Sequence, residues 1–124
     1  MNKRILVVDD SRTMRMILSR ALVRGGIEIV GEAHDGAAAI EAFDRVRPDL
    51  MTIDLNMPNL DGVSVIRQIL DRHPDAKIIV ISSLQQPEVE TEIMEAGALA
   101  ILAKPVKDDE LLKTINDLFA RTHA

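Results

Sequence analysis

Hydrophobic and polar positions alternate along the chain in two registers. Five short apolar runs, at residues 4–9, 27–33, 50–54, 77–82 and 98–103, are each followed by a longer stretch whose apolar residues recur every three or four positions. Ile5-Leu6-Val7-Val8 is apolar at four successive positions, which fits a strand covered on both faces better than a half-exposed one. The longer stretches predict amphipathic helices. Ser11 is the N-cap candidate of the first, Met14, Leu18 and Leu22 form its stripe, Ile17 and Ala21 widen it, and Gly25-Gly26 stops it. The second, residues 35–46, turns Ala39, Ile40, Phe43 and Val46 inward and ends before Pro48. The third opens at Asp61-Gly62, carries Val65, Ile66, Ile69 and Leu70, and closes at His73-Pro74. Pro87 suits the first turn of the fourth, and the fifth, residues 108–121, sends Leu111, Ile115 and Leu118 inward.

This alternation predicts an α/β fold, a (βα)5 doubly wound parallel sheet with helices on both faces. Right-handed crossovers leave few windings for five such units, and the strand order 2-1-3-4-5 is the common one. No linker or low-complexity insert interrupts the pattern, so residues 1–124 are expected to form a single domain. Ligands of such a sheet sit beyond the C-terminal edge of its strands.

Composition narrows the function classes. At 124 residues and 47% hydrophobic content the chain can build a core without staples, and with no cysteine it holds no disulfide or thiolate metal site. A net charge of -5 opposes attraction to DNA phosphates or anionic lipid, and with only Phe43 and Phe119 as aromatics there is no stacking platform for single strands. The apolar runs are too short to cross a bilayer, and the N-terminus has no extended apolar core. A cytoplasmic protein that touches neither nucleic acid nor membrane is the expectation.

Asp9 and Asp10 end the first strand, Asp54 the third and Ser82 the fourth, while Lys104 follows the fifth. In a parallel sheet all five face one edge, and in the expected order the first and third strands are neighbours. Three carboxylates therefore converge. At 4 Å and an effective dielectric near 20, each pair costs roughly 4 kcal/mol, which protonation or a cation must relieve. Oxygen-only ligands select a hard divalent ion, Mg2+ or Mn2+ as a substitute. An aspartate can then attack phosphorus to form an acyl phosphate once metal and Lys104 neutralise the transferring oxygens, with Ser82 donating a hydroxyl hydrogen bond to the new group.

These residues and their spacing resemble the response-regulator receiver family of two-component systems over essentially the whole chain. Asp9-Asp10 matches the family's acidic pair, Asp54 its phosphoacceptor, Met57-Pro58 and Asp61-Gly62 the following loop, Ser82 its switch hydroxyl, and Lys104-Pro105 its lysine-proline step. The resemblance implies the flavodoxin-like receiver fold, for whose strand order chemotaxis regulators are the known instance. It also implies that Asp10 contacts the metal directly, that Asp9 acts largely through water, that the Asn56 backbone carbonyl completes the ligands, and that the bond before Pro105 is cis. The function implied is a phosphoacceptor switch that is not a free-standing enzyme, although it contributes to its own phosphorylation and autodephosphorylation. Its phosphoryl donor is a sensor histidine kinase or histidine phosphotransfer protein, its output an unknown protein target, and its state a monomer or weak phosphorylation-dependent dimer. Ser82-Ser83-Leu84 and Ile101 are similar both to stand-alone chemotaxis regulators and to receiver domains of chemotaxis methylesterases. Where the family usually has a rotating Tyr or Phe this chain has Ile101, so no aromatic switch is implied. Leu84 and Asn56 match the family's tuners of dephosphorylation rate. An apolar Leu84 cannot orient a hydrolytic water, which predicts slow autodephosphorylation.

Simpler roles exist for each residue. Acids at strand ends often cap turns, Ser82 could be a satisfied strand-end hydroxyl, and Asp61-Gly62 a capped helix start. Capping does not explain why Asp9, Asp10, Asp54, Ser82 and Lys104 share one edge. His34, His73 and His123 are widely spaced and read as surface or turn residues, so the phosphodonor histidine comes from a partner. Glu88, Glu90, Glu92 and Glu95 around Val89, Ile93 and Ala96 read first as a solvated helix face, with partner docking there as the functional alternative. Arg12, Arg15 and Arg20 on the first helix are candidate contacts for a kinase or phosphotransfer helix. Two rivals fit less well. Haloacid-dehalogenase-like phosphohydrolases resemble an Asp-x-Asp pattern with a cap, whereas Asp9 and Asp10 are adjacent. A flavodoxin needs a Ser/Thr/Gly-rich loop after the first strand and aromatics around its flavin, and both are missing.

Overall fold

The computed structural model describes residues 3–83 and 86–123, the side chains of Thr122 and His123 excepted. Five strands and five helices alternate: β1 (Arg4–Val8), α1 (Arg12–Arg24), β2 (Glu28–Ala33), α2 (Gly36–Val46), β3 (Leu50–Asp54), α3 (Gly62–Arg72), β4 (Ile78–Ser82), α4 (Pro87–Ala96), β5 (Ala100–Ala103) and α5 (Asp108–His123). The strands form one parallel sheet in the order β2-β1-β3-β4-β5, as the alternation predicts.

The continuous apolar strands earn their composition by being covered twice. Leu6, Val8, Met51, Ile53, Ile78 and Val80 pack on α2, α3 and α4 through Phe43, Ile66, Ile69 and Ile93. The alternate positions Ile5, Val7, Leu50, Ile79 and Ile81 pack on α1 and α5 through Leu18, Leu22, Leu111 and Ile115. Period-two alternation thus divides two cores between the faces of one sheet.

Helix starts follow local chemistry. Ser11, Asp35 and Asp61 each accept from a backbone N–H three residues on, at 3.3, 2.7 and 3.1 Å, satisfying donors that the first turn leaves open. Asp61 is therefore a cap, as the simpler reading has it. Helix α4 uses Pro87 in its first turn in place of a side-chain cap. It ends at Gly97, whose φ of 121° is open to glycine, and a Cβ there would meet Leu70 Cδ1 at 2.3 Å. One end of each of β1, β2, α2 and β4 falls one residue inside the expected range, and three further details differ from the sequence expectation. β5 begins at Ala100, because Ala98 and Leu99 are still turning out of α4 and only the Leu99 N–H reaches the Ile78 carbonyl, at 2.9 Å. α5 continues to His123, two residues past the expected end. Ile17 is 49% exposed, since the sheet accepts an arc centred on Leu18, Ala21 and Leu22 and Ile17 lies beyond its edge.

Candidate functional site

Each acidic side chain of the site sits where a strand runs out. Asp9 follows β1 directly, and its N–H still donates to the Ala33 carbonyl of β2 at 3.0 Å. Its Oδ1 accepts from the Ser11 N–H at 2.8 Å, so the acid that ends the strand also shapes the entry to α1. The residue is 1% exposed, and its Oδ2 is buried without a hydrogen bond. Burial pushes the Asp9 carboxyl above the usual range; the Ser11 amide opposes this, Asp54 and Asp10 add to it, and Lys104 counters it.

Asp54 ends β3 and is 3% exposed. Its two oxygens are held separately, Oδ1 by the Asn56 N–H and Oδ2 by Lys104 Nζ, both at 2.8 Å. Lys104 arrives from the far side of the sheet: it follows β5, and its N–H donates to the Ser82 carbonyl at the end of β4 at 2.9 Å. The Lys104-Pro105 bond is cis, as the resemblance implies. One carboxylate oxygen from each of Asp9, Asp10 and Asp54 lies within 4.8 Å of the others, with Asp10 the exposed member. Ser82, buried, ends β4 one residue past Ile81, the partner of Asp54 in the β3–β4 register. The sheet therefore brings Asp9, Asp10, Asp54, Ser82 and Lys104 to one edge.

That arrangement fits a hard divalent cation. When ionised, three carboxylates against one ammonium leave two negative charges, all donors are oxygens, and the Asp9 Oδ2 is an orphaned acceptor in a buried wall. The donor set suits Mg2+ better than a thiolate- or imidazole-seeking metal.

Two features were hidden from the sequence. The Asn56 side-chain oxygen accepts from both the N–H and the hydroxyl of Ser83, at 2.8 and 3.0 Å, joining the loop after β3 to the loop after β4. Arg15, expected on the partner-facing surface of α1, instead folds inward: its guanidinium donates to the Asp9 carbonyl at 2.6 Å and pairs with Glu32 of β2 at 3.0 Å, leaving the side chain 18% exposed. Arg12 and Arg20 do remain exposed. Ile101 is half-buried against the α3–α4 core and, with Ser82, lines a cavity of about 330 Å³ between those helices. Leu84 lies outside the described residues, as does the side chain of His123. His34 is exposed beside Asp35 just past the end of β2, and His73 packs against Phe43. No helix among the described residues is long and apolar enough to cross a membrane.

Comparison with known proteins agrees with this geometry. Residues 5–116 match the model of the response regulator receiver domain. The chain is 37% identical over 116 residues to the chemotaxis protein CheY of Thermotoga maritima, covering 94% of this chain and 97% of that one. It is 40% identical over 102 residues to a protein-glutamate methylesterase/protein-glutamine glutaminase of Halobacterium salinarum, covering 81% of this chain and 29% of the relative. The response regulator domain of Thermotoga maritima CheB superposes with a TM-score of 0.85 at 32% identity, over 94% of this chain and 96% of that one. CheY in the CheX–CheY–BeF3–Mg2+ complex of Borrelia burgdorferi does so with a TM-score of 0.89 at 26% identity, over 94% and 89%. With its acidic pocket of Asp9, Asp10 and Asp54 at the strand edge, the chain belongs to the response regulator receiver domain family of two-component signalling.

Proposed function

We propose that this receiver accepts a phosphoryl group on Asp54 from the phosphohistidine of a sensor histidine kinase or histidine phosphotransfer protein, and that the modification switches its contacts with a protein target. The observation that carries this reading is the 2.8 Å approach of Lys104 Nζ to the buried Asp54 Oδ2, beside two further carboxylates. A capping role would not bring an ammonium from β5 onto an aspartate of β3.

Asp9, Asp10, Asp54 and the Asn56 backbone carbonyl are the residues that would hold Mg2+. When bound, the ion offsets the negative charge of the pocket and of the incoming phosphoryl oxygens. A CheY relative was solved together with BeF3 and Mg2+, which supports the same ion here. In the transfer an Asp54 oxygen forms a bond to phosphorus as the phosphorus–nitrogen bond of the donor breaks, and the released imidazole takes up a proton. Lys104 then exchanges its bond to the Asp54 carboxylate for one to a phosphoryl oxygen, and the Ser82 hydroxyl donates to another. Ser82 lines a cavity with Pro87, Glu90 and Met94 of α4, so exchange there reaches this helix, whose exposed Val89 and Met94 among Glu88, Glu92 and Glu95 form the output face. The CheY and methylesterase relatives suggest a chemotaxis-type pathway.

Incubation with acetyl phosphate, with Mg2+ or with EDTA, followed by intact-mass measurement, tests the reading. The wild type should gain one phosphoryl group only with Mg2+, and Asp54→Asn should gain none. Equal gain by the variant would refute it.

A further inference from the structure

We infer that Arg15 is a positioning residue of the metal pocket, acting on Asp10 through the backbone that the two acids share. This rests on the Mg2+ reading above and extends it to a residue outside the acidic edge.

Asp9 and Asp10 leave the sheet together, yet they are held differently. Asp9 is fixed by its own carboxylate, through the Ser11 N–H, and by its N–H on Ala33. Asp10 is exposed, so the direction of its side chain depends on the peptide unit before it. That unit carries the Asp9 carbonyl, and Arg15 donates to it at 2.6 Å. A planar peptide grasped at its oxygen also has its N–H and the following Cα fixed in direction.

Arg15 is itself braced. Its Nε pairs with Glu32 at 3.0 Å, so one planar fork spans the end of β1 and a residue of β2 from a position on α1. With the side chain 18% exposed, the guanidinium is spent on this contact rather than offered to solvent. A lysine keeps the charge but cannot hold both acceptors with one rigid fork.

The sign of the effect separates positioning from charge. A cation beside a metal pocket repels the metal, so removing Arg15 for electrostatic reasons alone would tighten Mg2+ binding. Loss of a group that orients a ligand loosens it, by about tenfold or more in comparable settings. Mg2+ affinity should be measured by calorimetry on the wild type, Arg15→Lys, Arg15→Ala, Asp10→Asn and the double variant Arg15→Lys/Asp10→Asn, with a thermal melt in EDTA to verify that each is folded. Arg15→Lys and Arg15→Ala are expected to weaken Mg2+ binding, the latter by about tenfold. Asp10→Asn should cost less affinity in the Arg15→Lys background than in the wild type, a coupling that a purely structural arginine would not produce. Unchanged or tighter Mg2+ binding by folded Arg15→Lys would overturn the assignment, even if Arg15→Ala fails to fold. A wild type without Mg2+ affinity would overturn the metal reading itself.

Discussion

Lys104 Nζ lies 2.8 Å from Asp54 Oδ2, the ammonium one-fifth exposed and the carboxylate almost wholly buried. The pair links β5 to β3 across the intervening β4, so the strand order itself brings the two residues together. Lys104→Met removes the only protein cation paired with Asp54 among the described residues. With saturating Mg2+, the rate of phosphorylation by acetyl phosphate should fall about 10²- to 10³-fold, the usual effect of losing one group that stabilises developing charge. A phosphate-affinity gel time course measures it; an unchanged rate would remove Lys104 from the chemistry.

Asp9 should make the metal-free protein pH-sensitive. Its folded carboxyl titrates above the ordinary value of 3.8 because it is buried, so the folded state binds this proton more tightly than the unfolded one. The stability that follows is fully present below the ordinary value and is lost as pH rises through the elevated one. Melts in EDTA should therefore show wild type losing ground to Asp9→Asn from acidic toward neutral pH. Mg2+ should reverse the ranking at neutral pH, because only the carboxylate helps to hold the ion.

The opposite sign is expected where α2 meets α3. Asp44 pairs with His73 at 2.8 Å and with Arg72, and the His73 hydrogen bond holds its carboxyl below the usual range; burial opposes this, and the charges of Arg72 and His73 add to the lowering. Its contribution is present above the ordinary value of 3.8 and is lost as pH falls through the lowered one. Asp44→Asn should melt slightly lower than wild type at neutral pH, and the difference should vanish in strong acid. A difference that persists there would point to packing instead of charge.

These pairs mark what a linear sequence conceals. The carboxylates and Lys104 could be read because each follows an apolar strand run, and a parallel sheet gathers those run ends along one edge. The helix caps Ser11 and Asp61 could be read because a cap and its N–H are three residues apart, whereas Asp35, expected as the first helical residue, proves to be the cap itself. Arg15 could not, since a charged helix residue looks solvent-facing until the Asp9 carbonyl and Glu32 arrive beside it from two other elements. The same holds for Asn56 with Ser83 and for Asp44 with His73, which meet only through tertiary packing. Ile17 misled for another reason: helical spacing gives the centre of an apolar stripe more reliably than its width.

Thr52 is a buried polar residue of β3 that the site does not use. Its hydroxyl is buried without a protein hydrogen bond, at a sheet position registered between Val7 and Ile79. Thr52→Val removes that desolvated hydroxyl and should stabilise the fold by about 1 kcal/mol, read as a higher urea midpoint at unchanged slope. Destabilisation instead would show that the hydroxyl has a partner, such as a buried water.

The central claim is that the phosphoryl group resides on the side chain of Asp54. Borohydride reduces an aspartyl phosphate to homoserine and leaves free aspartate untouched. Wild-type protein treated with acetyl phosphate and Mg2+, then with borohydride, should yield homoserine at position 54 on peptide sequencing by mass spectrometry, and no such product when EDTA replaces the metal. Homoserine at Asp9 or Asp10, or phosphate stable to borohydride on a serine or histidine, would contradict the account.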